Sequence, residues 1–319
     1  MNYGSEEKIK QVKNIMSTKS TKSTKSTKFS AKIIENNDSD SNKKNQSWWQ
    51  DNPMTYDWDH DLGPTKYNKK YFNAIDEIFG YGHSLCNNPN WPKGYILENF
   101  IPYDEIKEKK TLEIGCGAGL VSSHLAMAGA DLTSVDLTKQ AVEITKERFK
   151  LNQLKSNITQ MDAEKMDFPD NTFDFVISWG VIHHSGNMQN IINEIYRTLK
   201  SEGKAYLMVY NKKSLRFLIF APFWLGVVRG RLFTKSIKEI IGEITDGYIA
   251  RHLSEDEFST MASSFKSIDY SYSDEKNTIS SYLLGPFGRI LSPFPRLKQK
   301  IELFLSKRWG WYMQIMIKK

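Results

Sequence analysis

The sequence predicts an α/β fold in which a largely parallel sheet is covered by helices on both faces. Three observations lead there. Between residues 105 and 212, short apolar runs of strand length alternate with segments of helical periodicity. A glycine-rich stretch, 115–119, lies where one such strand passes into a helix. Carboxylates, Asp136 and Asp162, close the next two strands.

The elements follow in order. Strands are expected at 111–114, 132–135, 158–161, 175–179 and 205–210, with helices through about 127, over 138–151 and over 188–199. Thr138 suits an N-cap, and Gly203 lies just beyond the third helix. Strands separated by helices pair in parallel through right-handed crossovers. A helix resumes at Ser254, where Ser254 and Glu257 have capping-box spacing, and strands are expected at 268–272 and 311–317.

Other segments flank this core. Residues 17–28 repeat Ser-Thr-Lys, which offers no apolar face, so residues 1–46 read as a disordered basic tail. Residues 47–104 read as an aromatic-rich helical cap, with Tyr71, Ile75, Ile78 and Phe79 at helical spacing and a second short helix over 91–100. Residues 105–319 form the main domain, interrupted by insertions at 212–250 and 276–309 that make a helical lid.

Net charge is +7 but unevenly spread. Residues 1–46 carry +5, 47–211 carry −6 and 286–319 carry +7. A nucleic-acid enzyme more often places positive charge around its cleft, so nucleic acid is not expected as a partner. A disulfide between Cys86 and Cys116 is not expected, because Cys116 lies within the glycine loop; this suits a cytoplasmic setting. No apolar stretch of signal-peptide type follows Met1. The apolar run 217–228 contains Pro222 and is too short to span a bilayer.

The chemistry is concentrated in Leu112-Glu113-Ile114-Gly115-Cys116-Gly117-Ala118-Gly119-Leu120. Glycine at 115, 117 and 119 lets the backbone turn and approach a ligand, and the following helix offers free amide N–H groups. A dinucleotide fingerprint would require a third glycine at Leu120. Glu113 would repel a pyrophosphate but suits a cationic ligand such as S-adenosylmethionine, which bears an ammonium and a sulfonium. Asp136 can accept both hydroxyls of a ribose, as nicotinamide enzymes also exploit. Asp162 can accept from an adenine amino group while the Ala163 amide donates to the ring. Leu137 is placed to pack on the adenine, and Trp179 stands at the mouth of the sheet before Val181-Ile182-His183-His184. Ligands bind outside the carboxyl ends of parallel strands, so these residues converge on one crevice.

With Ser134-Val135-Asp136, Met161-Asp162-Ala163-Glu164, Phe173-Asp174-Phe175-Val176 and Val181-Ile182-His183-His184, the chain resembles the class I methyltransferases, especially the group related to the ubiquinone and menaquinone C-methyltransferases. The resemblance covers about residues 105–212 and the final strand. It departs at Ser201-Glu202, where proline is common, far from the ligand. It implies a Rossmann-like seven-stranded sheet whose last strand is antiparallel, and cofactor roles for Glu113, Gly115, Gly117, Asp136 and Asp162. Cys116 and Gly119 belong to the same loop.

The expected activity is methyl transfer from S-adenosylmethionine to an oxygen or carbon of a small organic or lipid-like acceptor. A non-catalytic scaffold that binds the cofactor and a nicotinamide oxidoreductase are the alternatives, opposed respectively by the intact loop and by Glu113 with Leu120. His184 is the candidate base. Tyr56 is a candidate contact for the methionine end, and no Cys/His cluster has metal-ligand spacing. Arg251 is expected either to meet an anionic group or to fix the lid. Residues 286–319 and the run 217–228 suit peripheral contact with an anionic membrane, although a helix over 295–307 with Leu297, Ile301 and Phe304 on one side is more simply expected to pack that side on the core.

Overall fold

In a computed structural model, which describes residues 30–54, 67–82, 94–275 and 293–319, strand β2 (Lys110–Ile114) is buried at four of its five positions. Helices cover both faces of such a strand, so its side chains are buried on both sides, the polar Thr111 and Glu113 as well as Leu112 and Ile114. β2 sits at the centre of a sheet with β3 (Asp131–Asp136), β4 (Asn157–Gln160), β5 (Phe173–Trp179) and β6 (Leu199–Asn211). These five run parallel, and β9 (Ser267–Ser273) and β10 (Tyr312–Lys318) complete the order β4-β3-β2-β5-β6-β10-β9. β10 is antiparallel to both neighbours, as expected. A two-residue strand, β8 (His252–Leu253), adds to the end of β6.

The chain winds outward from β2 to β4, then returns to lay β5 on the other side of β2. The carboxyl ends of β2 and β5 therefore border a crevice where strand order reverses, the place where such sheets bind ligands. Helices α4 (Leu120–Met127), α5 (Lys139–Asn152), α6 (Met188–Thr198) and α9 (Glu255–Met261) make the connections. Thr138 caps α5 through Ala141 N, and Ser254 and Glu257 form the expected capping box on α9.

Three expectations are corrected. The first is the tail: residues 30–46 are built into the molecule. β1 (Lys32–Ile33) pairs in parallel with β7 (Ile249–Ala250), Ala31 and Ile34 are buried, and α1 (Asn42–Asp51) begins before the expected boundary at 46. Residues 1–29 lie outside the described residues. The second is the helix over 91–100. Residues 94–100 form turns with Leu97 at φ +54°, and that reversal lets both Ile96 and Leu97 enter the core; residues 91–93 are outside the description. The cap's long helix is present as α2 (Lys69–Gly82), followed by the short α3 (Tyr103–Ile106).

The third concerns the lid. Its first insertion holds a wide helix of π type, α7 (Arg216–Val228), then α8 (Ile237–Gly242) and β7. Of the second insertion the described part holds α10 (Pro295–Trp309). Leu297 and Phe304 do not pack on the core: they are 49% and 68% exposed, and α10 turns Glu302 and Ser306 inward instead.

Candidate active site

The loop after β2 is pinned to its neighbour, since the amides of Gly115 and Cys116 donate to the Val135 carbonyl at 2.8 and 3.2 Å. Gly115 has φ +84°, and a Cβ there would lie 2.3 Å from Cγ2 of Val181. Only glycine lets the exits of β2 and β5 approach this closely. Gly117, at φ +54°, faces more open space, with Met54 3.7 Å from a built Cβ. Gly119 completes the turn and Cys116 is a buried free thiol.

Asp136 ends β3 half-buried beside this loop. Its Oδ2 accepts from Gly117 N at 3.1 Å, and its Oδ1 accepts from the amide and hydroxyl of Thr138, both at 2.9 Å. Burial raises the carboxyl's pKa, while these donors favour the charged form. Leu137 follows, half-buried. Asp162 is exposed at the end of β4, turned onto Glu164 N at 2.9 Å, and Ala163 is half-buried beside it. Trp179 ends β5, its ring edge-on to Phe79 and Phe100 and inclined to Tyr312, so it is held by the cap and β10. Tyr56 lies outside the described residues.

His184 is 4% exposed. Its Nδ1 is 2.8 Å from the Ile249 carbonyl, which makes Nδ1 the donor and leaves the lone pair on Nε2. Nε2 is buried with no hydrogen-bond partner. Burial lowers the pKa of His184, opposed by Asp246, so the ring is neutral near pH 7. The ring stands edge-on to Trp49 of α1 at 5.1 Å, and His183 lies tilted against Tyr210, their ring centroids 4.1 Å apart.

Helix α1 lies across the carboxyl ends of three strands. Gln46 donates to the Leu137 carbonyl after β3, Asn42 to Glu164 after β4, and Asn45 to the His184 carbonyl after β5, at 2.8 to 2.9 Å. Arg251 joins the same cover: it donates to the carbonyls of Gly186, Asn36 and Ser185, so the structure makes it a clamp on backbone.

A family model described as a methyltransferase domain matches residues 112–207. A ubiquinone biosynthesis O-methyltransferase from Rickettsia typhi is 32% identical over 138 residues, 42% of this chain and 56% of that protein. The protein of that name from Rickettsia canadensis is 31% identical over 167 residues, 51% of this chain and 70% of its own length. The chain belongs to the class I S-adenosylmethionine-dependent methyltransferases. It spans about half the length of the first curated relatives it matches, 56% and 54%. A solved structure from Pyrococcus horikoshii is 16% identical, with 80% of this chain and 93% of that one covered and a TM-score of 0.48.

The residues present fit the cofactor of this methyltransferase family. The crevice offers a carboxylate at the end of β3 and a loop with three glycines at positive φ. Among the described residues, no group of three His, Cys, Asp or Glu is placed to hold a metal ion.

Glu113 differs in placement from the other predicted cofactor residues. It is 3% exposed inside β2, where its Oε2 accepts from the Ser134 hydroxyl at 2.8 Å and from the Ser122 hydroxyl. Burial pushes its pKa up to about 7, against these hydrogen bonds. A carboxyl whose folded pKa is raised contributes stability that is present below its unfolded value, 4.5, and is lost as pH rises through about 7. Urea unfolding of Glu113→Gln should therefore gain on the parent by about 2.5 kcal/mol between pH 5 and pH 8. A difference that does not vary with pH would contradict this protonation.

Sequence reasoning missed the group around Tyr210, at the end of β6. Its hydroxyl donates to Asp246 of the first insertion, and its ring neighbours His252 and Trp311. The only available signal was the position of Tyr210 at a predicted strand end, since its partners lie 36 to 101 positions away in the sequence.

Proposed function

We propose that this chain transfers a methyl group from S-adenosylmethionine to an oxygen, or less readily a carbon, of a small organic or lipid-like acceptor. The observation that carries the reading is the Asp136 carboxylate held against the Gly117 amide of the glycine loop, at the exits of β2 and β3. The relatives' name, ubiquinone biosynthesis O-methyltransferase, supports a hydroxyl nucleophile on a lipid-like acceptor.

The roles divide as follows. The carboxylate of Asp136 takes ribose hydroxyls, and Asp162 with the Ala163 amide takes the adenine, with Leu137 packed on its face. Gly115, Cys116, Gly117 and Gly119 present backbone to the ligand. Glu113, buried beneath the loop, favours a positive charge above it through space in its ionised form, which burial confines to about pH 7 and above. Trp179 supports the cap side of the crevice, and His184 Nε2 accepts the acceptor's hydroxyl proton. When bound, the cofactor supplies the electrophilic methyl carbon. The chain supplies in-line positioning and exclusion of water, to which the α1 cover contributes. In the same reading the protein acts in the cytoplasm, at the periphery of an anionic membrane.

Asp136→Ala removes a hydrogen-bonded carboxylate, a loss of about 3 kcal/mol, so calorimetry should show cofactor affinity falling roughly a hundredfold. Labelled methyl transfer into a lipid extract should fall with it. Unchanged affinity, or tighter binding of NAD than of S-adenosylmethionine, would sink the reading.

A further inference from the structure

Among the described residues, every large apolar side chain exposed at the surface, except Met127, lies in one of two segments, 218–237 and 294–309. Phe233 is 92% exposed and Val227 59%. Single exposed apolar residues need no explanation, but their concentration marks an interaction surface.

The two helices concerned are built for a second apolar phase. α7 buries Phe220, Ala221 and Leu225 against Ile240 and Ile241 of α8, yet its outer side carries Leu218, Phe223 and Val227. A helix apolar all round belongs inside a protein or in lipid, and half of this one faces outward. α10 is inverted: its inner side holds Glu302 and Ser306, and its outer side Leu297 and Phe304.

Charge selects the partner. Residues 216–238 hold five basic residues and no acid, with Arg231 and Lys235 paired to Glu243 and Lys238 to Glu35, so most of the unpaired positive charge is on α10. Residues 293–309 hold five basic residues, and their one acid, Glu302, is buried. By contrast, residues 47–211, which supply the crevice, are net acidic. Apolar exposure and positive charge thus coincide, the combination that seats a helix among anionic headgroups. A second copy of the chain would bring like charges together. No described helix is long and apolar enough to cross a membrane, so the helices would lie in the plane of the interface.

The surface also leads to the site. α10 ends beside Trp311, over whose ring the Arg216 guanidinium of α7 stacks at 4.6 Å. Phe217 packs 5.0 Å from His252, which stacks on Tyr210.

We propose that α7, the turn after it and α10 form a docking face for an anionic lipid bilayer, from which a lipid-like acceptor enters beside Tyr210. The entry route rests on the methyltransferase reading; the docking rests on the surface alone.

Co-sedimentation of the full chain with vesicles tests it, using phosphatidylcholine alone or with about one-third phosphatidylglycerol. Binding should require the anionic lipid and weaken with salt. Residues 1–46 are also basic, so the decisive protein is Phe223→Gln/Phe233→Gln, which keeps every charge. It should partition at least about tenfold less onto anionic vesicles, as expected for two apolar side chains no longer buried. Equal binding by this variant, no binding by the parent at low salt, or a concentration-dependent dimer that the variant abolishes would each overturn the proposal. Calorimetry with S-adenosylmethionine on the same variant should be normal. That result separates failure of the docking face from failure of the proposed activity.

Discussion

Gly115→Ala is expected to cost about 3 kcal/mol of stability or more and to abolish measurable cofactor binding. Two independent penalties meet at this position. Its φ of +84° lies beyond what an L-residue adopts without strain. The three atoms nearest a new Cβ are Cγ2, Cγ1 and Cβ of Val181, at 2.3, 2.6 and 2.9 Å. Rotation about χ1 moves the two methyls but not that Cβ, so backbone must shift. The backbone available to move is the loop itself, which carries the Gly117 amide against Asp136. Gly117→Ala supplies the control, because its φ of +54° is one that other residues visit and its nearest neighbour is 3.7 Å away. Urea titrations should rank Gly115→Ala well below Gly117→Ala in stability. Val181→Ala should restore part of the loss in the Gly115→Ala background and leave the φ penalty in place. Equal losses at the two glycines would show that the close approach of β2 and β5 is not present in solution.

The legible part of this protein is the part whose local sequence and tertiary role agree. β5 is an apolar run because both of its faces are covered, and Thr138 and Ser254 announce the helices they cap. The loop 115–119 is legible because three glycines are needed at positive φ in one turn. The cover was hidden for a physical reason. Apart from Trp48 and Trp49, α1 is polar, and it docks through Asn42, Asn45 and Gln46 onto backbone and carboxylate groups. A helix that docks by amide side chains has no apolar stripe, so periodicity cannot find it. α10 shows the complementary limit: spacing identified the side bearing Leu297 and Phe304, but periodicity says nothing about which side faces the core. Tyr210 and Asp246 are brought together by the first insertion, whose path no local pattern encodes.

A chain beginning at Ser47 should lose most of its stability, whereas one beginning at Ser30 should retain it. The longer deletion removes β1 and with it the pairing to β7 across Lys32–Ile249 and Ile33–Ala250. It exposes the sites of Ala31 and Ile34, worth about 2 to 3 kcal/mol together in apolar burial. It also strips the hydrogen bonds of Asn42, Asn45 and Gln46 to the loops after β4, β5 and β3. Arg251, 4% exposed, loses the Asn36 carbonyl and keeps only the backbone of Ser185 and Gly186. At about 1 kcal/mol for each hydrogen bond, and more where a buried group is left unpaired, the total is on the order of 5 kcal/mol or more. That is comparable to the whole folding stability of many domains. The shorter deletion leaves every one of these contacts in place. Thermal unfolding of the two truncated proteins should therefore diverge by well over 10 °C, as several kcal/mol implies for a protein of this size. Calorimetry should show weakened S-adenosylmethionine binding only in the protein that starts at Ser47, since α1 covers the crevice through Leu137 and His184. If both proteins melt and bind like the parent, α1 and β1 do not hold the site closed in solution, and the exclusion of water must come from another part of the chain.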